Sequence, residues 1–190
     1  MKKMRVLCAA VLALCVYLPP ACADLVYSSP VTSERHWNED VNITTNAIVN
    51  DGIVTGREGG GIYLYTPDGT DPIPVTMNGN HLVTIRANLG AGNDPKDKLY
   101  GIRTYGGHNS VTLGMVDVEA GYMSLIAQQG TFISVGDYSR LVTTGSHYGI
   151  HTSFQGHILV GSDALIQAGS KTGSTNLGYT VWAQGGGNTS

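Results

Sequence analysis

Beyond residue 23 the chain has no cysteine: Cys8, Cys15 and Cys22 all lie before that point, so disulfides cannot hold the remainder together. Phe and Trp are scarce, two of each among 190 residues that include 26 Gly. That imbalance speaks against a helical bundle packed on bulky side chains and for a turn-rich β architecture. Charged residues make up only 13%, and no basic cluster offers the surface that phosphate contacts require, which excludes nucleic acid as a partner. The longest apolar run, Val6 to Leu18, has 13 residues. At about 1.5 Å per residue it covers roughly 20 Å, short of the ~30 Å hydrocarbon layer of a membrane.

That run is explained by its flanks. Met1-Lys2-Lys3-Met4-Arg5 is a basic start, and Pro19-Pro20-Ala21-Cys22-Ala23 breaks a helix and ends in small residues, the pattern of a secretory signal cut after Ala23. Removing Lys2, Lys3 and Arg5 from the 11 basic residues leaves 8 against 14 acidic ones, a net charge of −6. One domain held by its own packing is expected from residue 24 onward.

The chain repeats itself. Tyr100-Gly101-Ile102-Arg103-Thr104 returns as Tyr148-Gly149-Ile150-His151-Thr152, with weaker copies at Met123-Ser124-Leu125-Ile126-Ala127 and Leu177-Gly178-Tyr179-Thr180-Val181. The first three copies are each followed by an apolar pair ending in glycine: Val111-x-Leu113-Gly114, Ile133-x-Val135-Gly136 and Ile158-x-Val160-Gly161. A third segment closes each unit, beginning at Val118, Val142 and Ile166. Three short strands in a period of about 22 to 25 residues is the arithmetic of a β solenoid. Period-two alternation sets Tyr100, Ile102 and Thr104 inward with their counterparts in the other copies, Tyr179 stacking on Ile150. It sends Arg103, Ile126, His151 and Thr180 outward into water. Glycines 114, 136 and 161 are expected to permit sharp bends at coil corners. Upstream, strands are expected near Val41, Ile53, Gly61–Tyr65, Val75 and Leu82–Ile85. Residues 24–97 are therefore an N-terminal cap with irregular first coils, and residues 98–190 are regular coils, the last incomplete.

A signal peptide, a cysteine-free mature chain and degenerate "YGI" rungs ending in Val-Gly resemble the passenger region of bacterial autotransporters. The resemblance implies a right-handed parallel β-helix of the pectin-lyase-like kind. It also implies export to the outer membrane or surface of a two-membrane bacterium, adhesin-like binding of a glycan or protein ligand, and no catalytic activity. The chain ends at Gly185-Gly186-Gly187-Asn188-Thr189-Ser190, without the ~10-residue strands of the translocator barrel. A β-helix enzyme acting on polysaccharide and a purely structural stalk are the alternatives.

Candidate chemistry is thin. Gly136-Asp137-Tyr138-Ser139 fails to match a Gly-Asp-Ser-Gly nucleophile motif, because a tyrosine intervenes. Asp137, His157 and Asp163 read as solvated turn residues rather than paired carboxylates with a histidine. His147 and His151 would lie about 13 Å apart on one strand, too far for one ion. Gly90-Ala91-Gly92-Asn93-Asp94 is half of a calcium-binding repeat without a stacked copy. Arg57-Glu58-Gly59-Gly60-Gly61 lacks the Lys-Ser/Thr of a phosphate loop and reads as a bend. No catalytic, cofactor or metal residue is assigned. An enzyme should carry several carboxylates on one sheet face. An adhesin should carry a long polar face with aromatics such as Tyr105 and Phe154.

If the signal is cleaved, N-terminal sequencing of the exported form should begin at Asp24, and its gel mobility should be the same with and without reductant. A retained Met1 or a lipid on Cys22 would overturn this.

Overall fold

The computed structural model describes residues 25–45, 48–49, 57–67, 70–87, 97–145, 148–168, 180–185 and 188–189. All regular structure among them is β. The strands are β1 (Leu25–Tyr27), β2 (Arg35–Trp37), β3 (Val41–Thr44), β4 (Ile48–Val49), β5 (Arg57–Tyr65) and β6 (Pro74–Met77). Next come β7 (Val83–Ala87), β8 (Asp97–Tyr105), β9 (Ser110–Thr112), β10 (Val116–Ala120), β11 (Met123–Gln128) and β12 (Phe132–Val135). The last are β13 (Arg140–Thr143), β14 (Ile150–Ser153), β15 (His157–Val160), β16 (Leu165–Gln167), β17 (Val181–Gln184) and β18 (Asn188–Thr189).

They form three six-stranded sheets. Sheet A runs β1-β3-β7-β10-β13-β16, sheet B β17-β14-β11-β8-β5-β4 and sheet C β18-β15-β12-β9-β6-β2. From β5 to β18 the chain visits sheets B, C and A in unbroken rotation, and each strand lies parallel to the one a turn earlier. Among these pairings, β4 with β5 is antiparallel. Such rotation among three parallel sheets is consistent with a solenoid. No helix among the described residues is long and apolar enough to cross a membrane. Strands of residues 24–97 belong to the same three sheets as those that follow.

The register explains why the sequence repeats. Ile62, Ile102, Leu125, Ile150 and Val181 are aligned across sheet B, Val75, Val111, Ile133 and Ile158 across sheet C, and Ile43, Ile85, Val118, Leu141 and Ile166 across sheet A. Most of these meet in one apolar core. Each buried Val, Leu or Ile there contributes about 1.5–3 kcal/mol. Hydroxyls that point inward find each other: Thr104 Oγ1 lies 2.8 Å from Thr131 Oγ1 and Ser124 Oγ lies 3.0 Å from Thr143 Oγ1. Their desolvation is thereby offset.

Several expectations need correction. The strict alternation through the opening phrase fails at Gly101, where a Cβ would overlap Val118 Cγ1 and the carbonyl oxygen of Ser124. Gly101 and Ile102 both face the core, so the chain bends there, and Tyr100 emerges on the outer face. Met123, paired with Tyr100, joins it in a separate cluster with Ile126. Arg103, Ile126 and His151 do point away from the core, but they are buried rather than in water. In the last copy Ile150 pairs with Val181 rather than stacking on Tyr179, which lies outside the described residues with Leu177. Leu141, not Val142, aligns with Val118, a slip of one residue that exchanges faces.

The glycines also differ from expectation. Gly136 and Gly161 are absent from the left-handed backbone positions. They stand where the preceding coil passes close: a Cβ at Gly161 would overlap Asp137 N, and one at Gly136 would press on the backbone of Gly114. Arg57 to Gly61 belong to strand β5, not a bend, and a Cβ at Gly60 would overlap the Tyr100 carbonyl oxygen. The expected strand at Ile53 lies outside the described residues.

Ile133 is fully buried, whereas Thr112, beside it on sheet C, is exposed. Urea melts should show Ile133→Ala costing about 2–5 kcal/mol and Thr112→Ala within about 0.5 kcal/mol. Equal costs would refute the register.

Candidate functional site

Two outer faces gather residues that a packed core does not need. On sheet B the outward row is Tyr63, Arg103, Ile126, His151 and Trp182, aligned strand to strand. The Arg103 guanidinium lies 5.3 Å from the Tyr63 ring centre, 4.9 Å from that of Tyr100 and 5.8 Å from that of Tyr105. Its Nη2 also donates to Gln128 Oε1 at 3.4 Å. A desolvated cation over aromatic faces gains from the ring quadrupole. Tyr100 meets Tyr122 edge-on at 5.4 Å. The His151 ring stacks on Trp182 at 4.5 Å with 9° between planes, and Tyr148 tilts against both.

Burial governs the titration of this layer. It pushes the Tyr100 hydroxyl far above the usual tyrosine range, reinforced by Tyr122 and Tyr63. Tyr122 is raised by burial and by Tyr148, with Arg103 pulling the other way. His151 is lowered by burial alone, so its ring is neutral and acts as one more aromatic face. Tyr63, Tyr100, Arg103, Ile126 and His151 are all more than nine-tenths buried. This face is a second packed layer outside the sheet, not an open site. Tyr105, expected on a binding face, stacks on Tyr65 at its margin, 5.4 Å between centres.

Sheet C differs. Its strands β6, β9, β12 and β15 contain no Lys, Arg, Asp or Glu. Outward positions hold Thr76, Thr112 and Ser134 in one aligned row, continued by Leu159, and Ser110, Phe132 and His157 in the next. Phe132 and Leu159 are 38% and 44% exposed. Beyond the strand ends stand two further aromatics, Phe154 at the corner before β15 and Tyr138 at the corner after β12, exposed by 61% and 69%.

Both corner aromatics hold left-handed backbone, φ 50° at Phe154 and 58° at Tyr138. For a bulky L-residue this conformation costs roughly 1–2 kcal/mol. Neighbouring coils fill the same places with glycine or polar residues. The corner of Phe154-Gln155 is Gln129-Gly130 in the coil below and begins with Gly185 in the coil above, with positive φ recurring at Gln129, Gly130 and Gly185. The place of Tyr138 is taken one coil later by Asp163, φ 55°, a residue type that tolerates left-handed backbone. The fold does not ask for an aromatic at either corner, and a ring is placed there against the local backbone preference.

The other sequence candidates resolve as structure. Ser139 is buried, its Oγ donating to the Gly136 carbonyl at 2.7 Å and accepting from Val116 N at 3.2 Å. Asp137 Oδ1 accepts from Ser162 N at 2.7 Å, while His157 sits on sheet C, so the imagined trio is not assembled. His151 and His157 occupy different sheets, and His147 and Gly90–Asp94 lie outside the described residues. Asp117 is the most engaged carboxylate: burial alone would raise it, but hydrogen bonds from Arg86 at 2.6 Å and Arg140 at 2.8 Å outweigh that and hold it below the usual range. Among the described residues no three His, Cys, Asp or Glu gather where a metal ion would fit. A cavity of about 370 Å³ opens between the inward residues Ile150, Val160, Ile166 and Val181 of the last coils. It borders the apolar core through Ile150 and is also lined by Asp163.

Sequence reading named Phe154 but passed over Tyr138, Phe132 and Leu159. Coil-by-coil alignment of the corners supplies the missing signal, a bulky ring where other coils place Gly, Gln or Asp.

The buried His151 makes stability depend on pH in a defined direction. Unfolded, it takes a proton near pH 6.5; folded, it resists protonation until a lower pH. Its contribution is therefore complete above about 6.5 and is lost as the pH falls toward the folded value. Thermal melts of His151→Phe, which keeps a ring against Trp182, should show a shallower loss of stability between neutral and mildly acid pH than the parent chain. Parallel curves would contradict the assignment.

No family model, curated protein or solved structure matches this chain.

Proposed function

We propose that the chain is an exported cell-surface protein in which a right-handed parallel β-helix of about 22–25 residues per regular coil presents sheet C as an adhesin-like, non-catalytic binding face. The right hand is supported by the general preference of parallel crossovers, which are right-handed in about 98% of cases. Export is supported by the basic start, apolar run and small-residue end of residues 1–23 and by the absence of cysteine after them.

The single observation that carries the binding role is the pair of strained, exposed aromatics, Tyr138 and Phe154, at the two corners that bound sheet C. Strain of this kind clusters where a side chain has to be presented in one orientation. Rings held by a rigid backbone bind with little further loss of conformational freedom. Removing either ring in favour of glycine should relieve the backbone, so stability and function should separate.

Beads coated with the mature chain should adhere to cultured epithelial monolayers above the level of uncoated beads. The double variant Tyr138→Gly, Phe154→Gly should unfold at the same urea concentration as the parent or higher while losing most of that adherence. Absence of adherence by the parent, or equal adherence by a folded variant, would overturn the reading.

A further inference from the structure

The turn that carries the chain from β6 on sheet C to β7 on sheet A holds a reactive pair that the binding role does not use. Asn78-Gly79 is the one Asn-Gly step among the 190 residues, and Asn78, Gly79 and Asn80 are all exposed. We propose that Asn78 is a self-modification site, converted by the chain itself to an aspartyl or isoaspartyl linkage, with His81 as the base and Asp40 as the residue that positions His81.

The chemistry has three requirements, and the turn meets each. A main-chain nitrogen must reach the Asn78 amide carbon, and glycine sets no Cβ beside that nitrogen to hinder the approach. Gly79 holds φ 81°, left-handed backbone that it adopts without strain. The reacting groups must also be free to meet. Asn78 N is pinned, donating to the Trp37 carbonyl at 2.9 Å, but the Asn78 side-chain amide and Gly79 N make no hydrogen bond among the described residues.

The nitrogen must finally lose its proton. A Cβ on Gly79 would lie 3.8 Å from His81 Nε2, so the imidazole edge stands beside the glycine, placed to take its N–H proton directly or through one water. The other ring nitrogen, Nδ1, lies 3.3 Å from Asp40 Oδ1, and Asp40 is itself fixed by accepting from Leu82 N at 2.9 Å. A carboxylate on Nδ1 selects the tautomer protonated there and leaves the Nε2 lone pair for Gly79.

The step balances without oxidant or reductant. His81 Nε2 takes the Gly79 N–H proton, the nitrogen attacks Asn78 Cγ, and the Cγ–Nδ2 bond breaks as His81 returns the proton to the departing ammonia. The two residues are then joined in a succinimide ring. Water opens it: attack at Cγ leaves an ordinary aspartyl peptide, and attack at the Asn78 main-chain carbon leaves the chain running through the side chain. Either product puts a new carboxylate in the turn beside Asp40. The second also lengthens the connection from β6 to β7 by one methylene.

Other asparagines show how much the setting decides. Asn109 is fully buried, its Oδ1 accepting from Ile73 N at 2.8 Å and its Nδ2 donating to the Tyr105 carbonyl at 3.2 Å, so its amide is clamped at both ends. Asn80 is as exposed as Asn78, but the residue after it is His81, whose side chain crowds the attacking nitrogen. Asn42 precedes the branched Ile43 inside β3, which is laddered to β1 on one side and β7 on the other.

The test keeps the folded mature chain in warm neutral buffer. Ammonia release gives the rate, fragmentation of the tryptic peptide between Arg57 and Arg86 places the new acid, and methyl transfer from labelled S-adenosylmethionine by a protein isoaspartyl methyltransferase detects the rearranged linkage. Acid and isoaspartate should accumulate at position 78 and not at 80 or 109. His81→Ala should slow the reaction at least about tenfold, a modest share of what a positioned base supplies, and added imidazole should restore part of the rate. Asp40→Asn should slow it with the ring still in place. Should His81→Ala lower the urea midpoint, His81→Gln replaces it. Because the base is assembled only in the fold, the parent should react more slowly in urea than in buffer. An Asn-Gly pair reacting through flexibility alone does the reverse, and that result would overturn the role of His81. So would equal rates in the folded parent and the His81 variant, or no rescue by imidazole. A folded parent that forms neither acid nor isoaspartate at position 78 removes the site itself.

Discussion

Everything in this molecule depends on the parallel register that seats each coil on the one before it. A residue in one coil is held opposite its counterpart in the next by main-chain hydrogen bonds, as when Ile150 N donates to the Thr180 carbonyl at 2.9 Å or Val83 N to the Met115 carbonyl at 3.0 Å. Because side chains alternate along a strand, the ladder decides at once which residues build the core and which stand outside. Without disulfides, that shared core is what keeps the coils together. A coil cannot bury its own apolar face alone.

Much of this was legible because the same side chain must meet itself. Ile102, Leu125 and Ile150, and again Val111, Ile133 and Ile158, announce their alignment by recurring at nearly constant intervals. What escaped was wherever another force overrode the alternation. Gly101 hides a bend, because an absent Cβ leaves no mark of which way it would have pointed. Val142 and Leu141 are both apolar and both buried, so residue type could not tell the inward from the outward one. Arg103 and His151 were sent into water by their polarity, though aromatic neighbours desolvate both. Strands β1 and β2 are three residues each, too short for a period to show.

The candidate site was less legible than the fold, for a related reason. Left-handed backbone is advertised by glycine and asparagine, not by phenylalanine and tyrosine. Phe154 and Tyr138 become unusual only when set against Gln129 and Asp163 in neighbouring coils. Aromatics in this chain therefore have different fates: Trp37 is buried in the core against Tyr27, on sheet B others shelter an arginine and a histidine behind the sheet, and at the corners of sheet C Phe154 and Tyr138 stand in solvent. Composition alone cannot distinguish these fates. Only the coil position does.

The corner that carries Phe154 recurs at Gln129 below and Gly185 above with the same left-handed backbone, so the fold keeps a column of equivalent sockets along one edge of these coils. Whatever is mounted in them is displayed in a straight line at a fixed pitch, like graduations on a ruler. The number of rings along that edge can change by single substitutions at Gln129 or Gly185 that leave the ladder beneath untouched. Evolution can lengthen or shorten such a row without redesigning the shaft that holds it.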